Sequence, residues 1–269
     1  MVAGNESFRI LFVGDVVGRP GRRALRELLP HILEEERPHF VIINSENSAG
    51  GFGVNRRSAK ALFDAGADVL TNGNHTWDKV EAFELVDEDP RVLRPENLPP
   101  GTPGCGCGVF EAKCGTRVGV LNVIGRVFMN PAEDPFRAGR RMLDDMRAET
   151  PLLFVDFHGE ATSEKQAFGW HVDGLATAVV GTHTHVPTAD SRILKNGTAY
   201  QSDAGMTGGY EGVIGMDRDA SLRRFLTGYP IRFEPATGDL RLDAVLIDAD
   251  KQTGRATAIR RVQKRLLEG

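Results

Sequence analysis

Ala176-Thr177-Ala178-Val179-Val180-Gly181-Thr182-His183-Thr184-His185 passes from apolar to metal-capable within one short stretch. A run of this kind closed by a glycine reads as a buried strand, and its exit presents two imidazoles one residue apart. Four other segments repeat the arrangement. Residues 10–14 lead into Asp15, 40–45 into Glu46 and Asn47, 69–73 into Asn74 and His75, and 152–157 into His158. In α/β sheets ligands collect beyond the carboxyl ends of the strands, so these polar exits are expected to converge although they lie far apart in sequence. One histidine in such a place is unremarkable. Four of the chain's seven at strand exits are not.

Around these segments the first half alternates strand and helix patterns: strand 8–13, helix 22–36, strand 40–43, helix 56–65 and strand 69–71. This is βαβ grammar. Leu25, Leu28, Leu29, Ile32 and Leu33 form one apolar stripe for packing, and Pro30 is expected to kink their helix. Residues 94–108, RPENLPPGTPGCGCG, read as a long surface loop. Residues 109–112 and 117–123 read as a hairpin, and 136–149 as an amphipathic helix before the strand that ends at His158. The last third changes character, with strand-like segments 192–194, 198–201, 231–234, 240–248 and 256–262 joined by Asn-Gly, Thr-Gly and similar turns. A mixed or second sheet is therefore expected. The length of 269 residues suits one domain over 1–269, with 1–7 a flexible N-terminal extension.

Hydrophobic content of 41% and charged content of 26% are ordinary for a globular protein. A net charge of −4 offers no footprint for stable binding of long nucleic acid, while a small phosphate compound remains compatible. The opening residues lack a basic start, and the apolar stretch after them is too short for a membrane span, so a cytoplasmic location without membrane association is expected. Cys105, Cys107 and Cys114 are odd in number and atypically spaced for zinc, which favours reduced thiols in a Gly-rich turn.

Asp15, Glu46, Asn47, Asn74, His158, His183 and His185 together offer only oxygen and nitrogen donors. Such a set suits iron, manganese or zinc better than copper(I) or an iron–sulfur cluster, and iron or manganese is expected, with zinc and magnesium as alternatives. Seven donors exceed what one ion needs, and Glu46 can bridge a pair, so two ions are expected. Each residue alone also has a plain structural reading: Asp15 as a helix cap, the asparagines as turn residues, the histidines as core residues.

Gly73-Asn74-His75 and Gly181-Thr182-His183-Thr184-His185 resemble the GNH and GHxH signatures of calcineurin-like metallophosphoesterases. FVGDVVGRPGR, SENSAGGFG, TNGNHTWD, DFHGEATSEK, GTHTHVPTAD and DAGMTGG are similar to one branch, the bacterial YmdB-type 2',3'-cyclic-nucleotide 2'-phosphodiesterases. The resemblance implies an α/β sandwich of two mixed β-sheets flanked by helices (α/β/β/α layers), with metals at the strand ends. It implies Asp15, Glu46, Asn47 and His185 on one ion, Glu46, Asn74, His158 and His183 on the other, and His75 free as the catalytic proton donor. A homo-oligomer, and in a regulatory setting a protein partner in RNA turnover, belong to the same set of expectations. The chain departs from the wider superfamily in its first loop, where Val16 and Val17 follow Asp15 instead of the usual Asp-x-His. It departs again at Ser45-Glu46-Asn47, where a bridging Asp is usual. The YmdB-type branch shares both departures.

The expected reaction is attack of hydroxide on phosphorus, in line with a departing ribose 2'-oxygen that His75 protonates, giving a 3'-nucleotide from a 2',3'-cyclic nucleotide. A phosphomonoesterase, a diesterase for another small phosphate ester and a nucleotide-sensing module are the alternatives. Ser163, Glu164 and Lys165 are candidates for the pocket border, although Ser163 also suits a helix cap. Gly50-Gly51-Phe52-Gly53 and residues 205–209 are candidate rims. Trp77, Phe128 and Tyr210 could stack a base, with core or rim packing the plainer role.

Overall fold

The computed structural model describes residues 7–267. The extension expected over 1–7 lies outside them except for Ser7, which opens the first strand. In chain order the first elements are β1 (Ser7–Val13), β2 (Asp15–Val16), α1 (Gly18–Glu36), β3 (Phe40–Asn44), α2 (Arg56–Ala65), β4 (Val69–Thr71) and α3 (Glu81–Glu88). Next come β5 (Cys107–Glu111), β6 (Arg117–Ile124), α4 (Pro135–Arg147), β7 (Leu153–His158), α5 (Thr162–His171) and β8 (Ala178–Thr182). The remainder is β9 (Arg192–Ile193), β10 (Ala199–Gln201), β11 (Met206–Gly209), β12 (Gly212–Val213), β13 (Met216–Asp217), α6 (Arg218–Thr227), β14 (Leu240–Asp250) and β15 (Ala256–Arg265).

These strands form two mixed sheets and a small hairpin. The first sheet follows the order β2-β11-β14-β1-β3-β4, with β15 also paired to β14. Strands β1, β3 and β4 run parallel, and β14 runs antiparallel to β1. The second follows β5-β6-β7-β8-β10-β9, with a parallel centre from β6 to β10 and antiparallel edges. Strand alternation sorts the side chains into layers. Phe8, Ile10 and Phe12 of β1 meet Val118, Val120, Phe154 and Val180 between the sheets. Leu11 and Val13 instead face the stripe of α1 at Leu25, Leu28, Leu29 and Ile32. On the far side Leu121, Val155 and Phe157 pack under Leu143, Met146 and Phe168 from α4 and α5. The layers are thus helix, sheet, sheet, helix. Parallel strands buried on both faces need continuous apolar runs, which is why the sequence showed runs and not alternation. Among the described residues no helix is long and apolar enough to cross a membrane.

Three local readings change. Residues 231–234 are not a strand; only Pro235 forms a bridge, with Met216. The helix with Pro30 runs to Glu36 as expected, with Pro30 on its exposed side. Helices α3, α5 and α6 went unread; they are short, and α6 buries only Ser221, so its apolar spacing carries little signal. The expected loop ends earlier, because Cys107 already pairs with Leu121 in the hairpin.

Phe12 and Phe154 join the two sheets with ring centroids 4.8 Å apart. Phe154→Ala leaves a void that neither rigid sheet can fill. It is expected to reduce unfolding free energy by about 3–5 kcal/mol, read as a lower urea midpoint at unchanged m value.

Candidate metal centre and active site

The carboxyl ends of β1, β3, β4, β7 and β8 bring their exits to one place. Glu46, His158 and His183 place one ligand-capable atom each within 4.8 Å of one another, and Asp15, Glu46 and His185 do the same, so Glu46 belongs to both groups. The His158 Nε2 lies 3.3 Å from a Glu46 oxygen and 2.9 Å from Asn74 Oδ1. His183 Nδ1 is 3.1 Å from the same nitrogen. On the other side His185 Nε2 faces Asn47 Oδ1 at 3.2 Å and Asp15 Oδ1 at 3.9 Å. The structure therefore gathers all seven expected donors. His75 sits beside them, its backbone N–H donating to Glu46 Oε2 at 3.2 Å.

Hydrogen bonds behind the ring atoms decide which nitrogen each imidazole offers. His158 Nδ1 meets Thr182 Oγ1 at 2.9 Å, and that hydroxyl donates to Asp156 Oδ1 at 2.7 Å. A hydroxyl donating to the carboxylate accepts from the ring, so Nδ1 carries the proton and Nε2 faces the site with a lone pair. His185 Nδ1 donates to the Ile214 carbonyl at 2.8 Å, which again frees Nε2. His183 turns the other way, with Nε2 at 3.2 Å from Glu160 and Nδ1 inward. Asn47 donates its amide to the Gly51 carbonyl at 2.9 Å, which aims its oxygen at His185.

The turn carrying the two last imidazoles is bent sharply. His183 and His185 have φ of 101° and 64°, a region that costs non-glycine residues about 1–3 kcal/mol each. A buried clamp holds it: Lys165 Nζ donates to the Thr182 carbonyl and to Asp203, both at 2.8 Å, and Asp203 accepts from the Thr184 N–H at 3.1 Å. Below, Asp156 accepts from Asn44 at 2.9 Å and Thr71 at 2.5 Å, tying the ends of β3 and β4 to β7 and β8.

Burial pushes the Asp15 carboxyl up to about 8, with the Asp203 charge adding to it, and lifts Glu46 well above the carboxylate range, aided by Asp15. Burial also lowers His158 strongly, His183 to about 4, and His185. Neutral imidazoles are the ligating form, and two carboxylates crowded in a dry site are relieved by cations. Asp15 Oδ1 is buried and has no hydrogen-bond partner among the described residues. A Cβ on Gly73 would stand 2.3 Å from His158 Nε2 and 2.4 Å from Glu46 Oε2, so only glycine leaves the space between them open. Orphaned oxygen, facing lone pairs and reserved space fit a pair of divalent cations.

Other candidates sort clearly. Phe52 of the Gly50 to Gly53 loop meets the His75 ring edge-on at 5.0 Å, so this loop borders the site. Trp77 stacks on Phe83, and Tyr210 bonds Asp243, so both serve packing. Phe128 is exposed. Ser163 lies inside the first turn of α5, whose cap residue is Ala161, and makes no cap bond. Glu164 instead accepts from the Arg126 and Val127 N–H groups and fixes that loop. The cysteines are free; Cys105 and Cys114 are exposed, and burial pushes the half-buried Cys107 thiol up to about 12. Asp78, Asp156, Glu160, Thr182 and Asp203 were missed as individuals, although each stands within or next to a quoted segment.

The family model for YmdB-like proteins matches residues 11–262. The chain belongs to this family. It lies within the calcineurin-like metallophosphoesterase superfamily. A Bacillus subtilis protein named 2',3'-cyclic-nucleotide 2'-phosphodiesterase is 50% identical over 254 residues, covering 94% of this chain and 96% of its own. The crystal structure of a hypothetical protein from Thermus thermophilus superposes with a TM-score of 0.89 at 44% identity, over 96% of this chain and 99% of that one. The structure of a novel phosphatase from Mycoplasma pneumoniae gives 0.90 at 32% identity, over 97% and 94%. These relatives match essentially the whole YmdB-like fold.

Because Thr182 sets the His158 tautomer, Thr182→Val is expected to weaken metal binding about 10- to 100-fold. Metal content after dialysis against graded chelator reads this directly. Thr182→Ser, which keeps the hydroxyl, should restore binding.

Proposed function

We propose that this chain hydrolyses 2',3'-cyclic nucleotides to 3'-nucleotides, as a dinuclear metallophosphodiesterase. The observation that carries this reading is His75, tethered by its N–H to the shared Glu46 yet outside both groups of donors. Its Nδ1 lies 2.9 Å from Asp78, its ring edge rests on Phe52, and its Nε2 has no partner among the described residues. Asp78 accepts from Nδ1–H, so a proton on Nε2 can be delivered to a leaving oxygen. Asp15, Asn47 and His185 would hold one ion and Asn74, His158 and His183 the other, with Glu46 between them. Iron or manganese suits these donors best. When bound, such ions lower the pKa of water and neutralise charge on the phosphoryl oxygens.

The chain's own residues then supply orientation and the proton. The buried floor of Asp156, Thr182 and Asn44 excludes water from behind the phosphate and fixes the imidazoles before substrate arrives. In hydrolysis a water oxygen bonds to phosphorus and gives up a proton to solvent, the bond from phosphorus to the ribose 2'-oxygen breaks, and that oxygen takes the proton held on His75 Nε2, which solvent then restores. The inter-sheet core runs through both sheets, which supports reading the chain as a single domain. A cytoplasmic location completes this reading, in keeping with a reaction on nucleotide products.

The test compares 2',3'-cyclic AMP, 3',5'-cyclic AMP and 3'-AMP with metal-replete protein. Only the first should turn over well; preference for 3'-AMP would assign a monoesterase instead. His75→Ala is expected to retain its metals and lose about 10²- to 10⁴-fold in turnover. Equal turnover in a variant with full metal content refutes the proton-donor role.

A further inference from the structure

The chain has a net charge of −4, yet five arginines crowd one groove between α1 and α2. Arg19, Arg22, Arg23 and Arg26 recur at spacings of three and four, which places them on one helix face. Arg57 joins them from α2, and together they line a cavity of about 830 Å³. The carboxylate in its wall, Asp64, is already held by Lys60 at 2.8 Å. Arg26 shares a solvated pair with Glu27, whose charge Arg23 also feels, while Arg19 and Arg57 have no carboxylate partner among the described residues. Guanidinium forks left open in this way match phosphate oxygens. The remaining wall is small, at Ala61 and Ala65, with no ring to stack a base. Such a surface reads phosphates and not sequence.

The groove backs onto the active site. The Arg22 guanidinium donates to the Ser48 carbonyl, and the Gly18 N–H donates to the Asn47 carbonyl at 2.9 Å, so the start of α1 that carries the arginines is tied to the loop that presents Glu46 and Asn47. Arg19 and Arg23 also line a second cavity, of about 430 Å³, together with Gly50 and with Glu234, whose carboxylate is already paired with Arg232 at 3.5 Å. Gly50 belongs to the rim whose Phe52 touches His75. A path of positive charge therefore connects the rim to the groove. A chain-wide charge count conceals it, because acidic residues elsewhere cancel the sum but not the local field.

We infer that this path holds the phosphate backbone of a short oligoribonucleotide whose 2',3'-cyclic end occupies the metal centre. The substrate class is then RNA ends, with free cyclic mononucleotides as minimal substrates. The inference rests on the active-site reading above and deepens it.

The test measures kcat and KM for 2',3'-cyclic AMP and for oligoribonucleotides of increasing length ending in a 2',3'-cyclic phosphate. It uses the metal-loaded wild type and an Arg23→Gln/Arg26→Gln/Arg57→Gln variant. Binding of a fluorescent RNA with an ordinary 3'-hydroxyl is followed by anisotropy. KM should fall about tenfold or more with length at low salt and rise again with added salt. The variant should lose that gain and the RNA binding while keeping its turnover of cyclic AMP and its unfolding midpoint. A KM independent of length, or unchanged RNA binding in the variant, overturns the inference. Binding of tripolyphosphate without binding of RNA also overturns it, and assigns the groove to small polyanions. If neither cyclic AMP nor cyclic-ended RNA is cleaved while RNA binding remains sensitive to the variant, the active-site reading fails and the groove survives it.

Discussion

Two carboxylates, Asp15 and Glu46, are held together out of water where both sheets end, and the surrounding structure answers that constraint. Like charges at such a place repel and lose their hydration, at several kcal/mol per ion. The residues facing them are neutral imidazoles and amide oxygens, which add ligating atoms but no compensating charge. Burial holds the Asp15 and Glu46 carboxyls toward the protonated form, and a bound cation would satisfy the whole set. The centre is built for a charge that the protein does not itself contain.

Support for that centre comes from the floor beneath it. Asp156 accepts hydrogen bonds from β3, β4 and β8 at once, so one buried carboxyl fixes the relative height of strands from both sheets. The Lys165 and Asp203 pair performs the same service for the strained turn at His183 and His185. Left-handed backbone at two histidines persists only because these buried bonds over-determine it. Rigidity of this kind keeps lone pairs aimed without waiting for a ligand.

The departures from the wider superfamily also have a physical account. Val16 pairs with Thr207 in the short β2–β11 contact, and Val17 packs with Met206 and Met216. The segment after Asp15 is thereby committed to the core, and an imidazole there would be drawn away from the cluster. Asn47 supplies an oxygen from the neighbouring loop, aimed by its bond to Gly51. One donor type is exchanged for another without disturbing the gathering of strand ends.

Much of this was legible in the chain itself. Apolar runs ending in Asp15, Glu46, Asn74, His158 and His183 marked strands and exits, since a strand buried on both faces must be apolar throughout and its end must turn polar. The antiparallel return at β14 and β15 was legible from its turns. Residues 231–234 misled because β-branched and aromatic composition alone does not create a pairing partner. Asp156, Thr182 and Asp203 were not legible as individuals, and Lys165 was legible only as a candidate for the pocket border, because a buried polar residue is defined by what it bonds, and those partners lie on other elements. Sequence by itself determined the kinds of atoms available and the strand ends that carry them. Tertiary structure alone decided which nitrogen each imidazole turns inward, which carboxylate is shared and how the arginines of two helices come to line one groove. These depend on distances between segments remote in the chain, which packing fixes and local composition does not record.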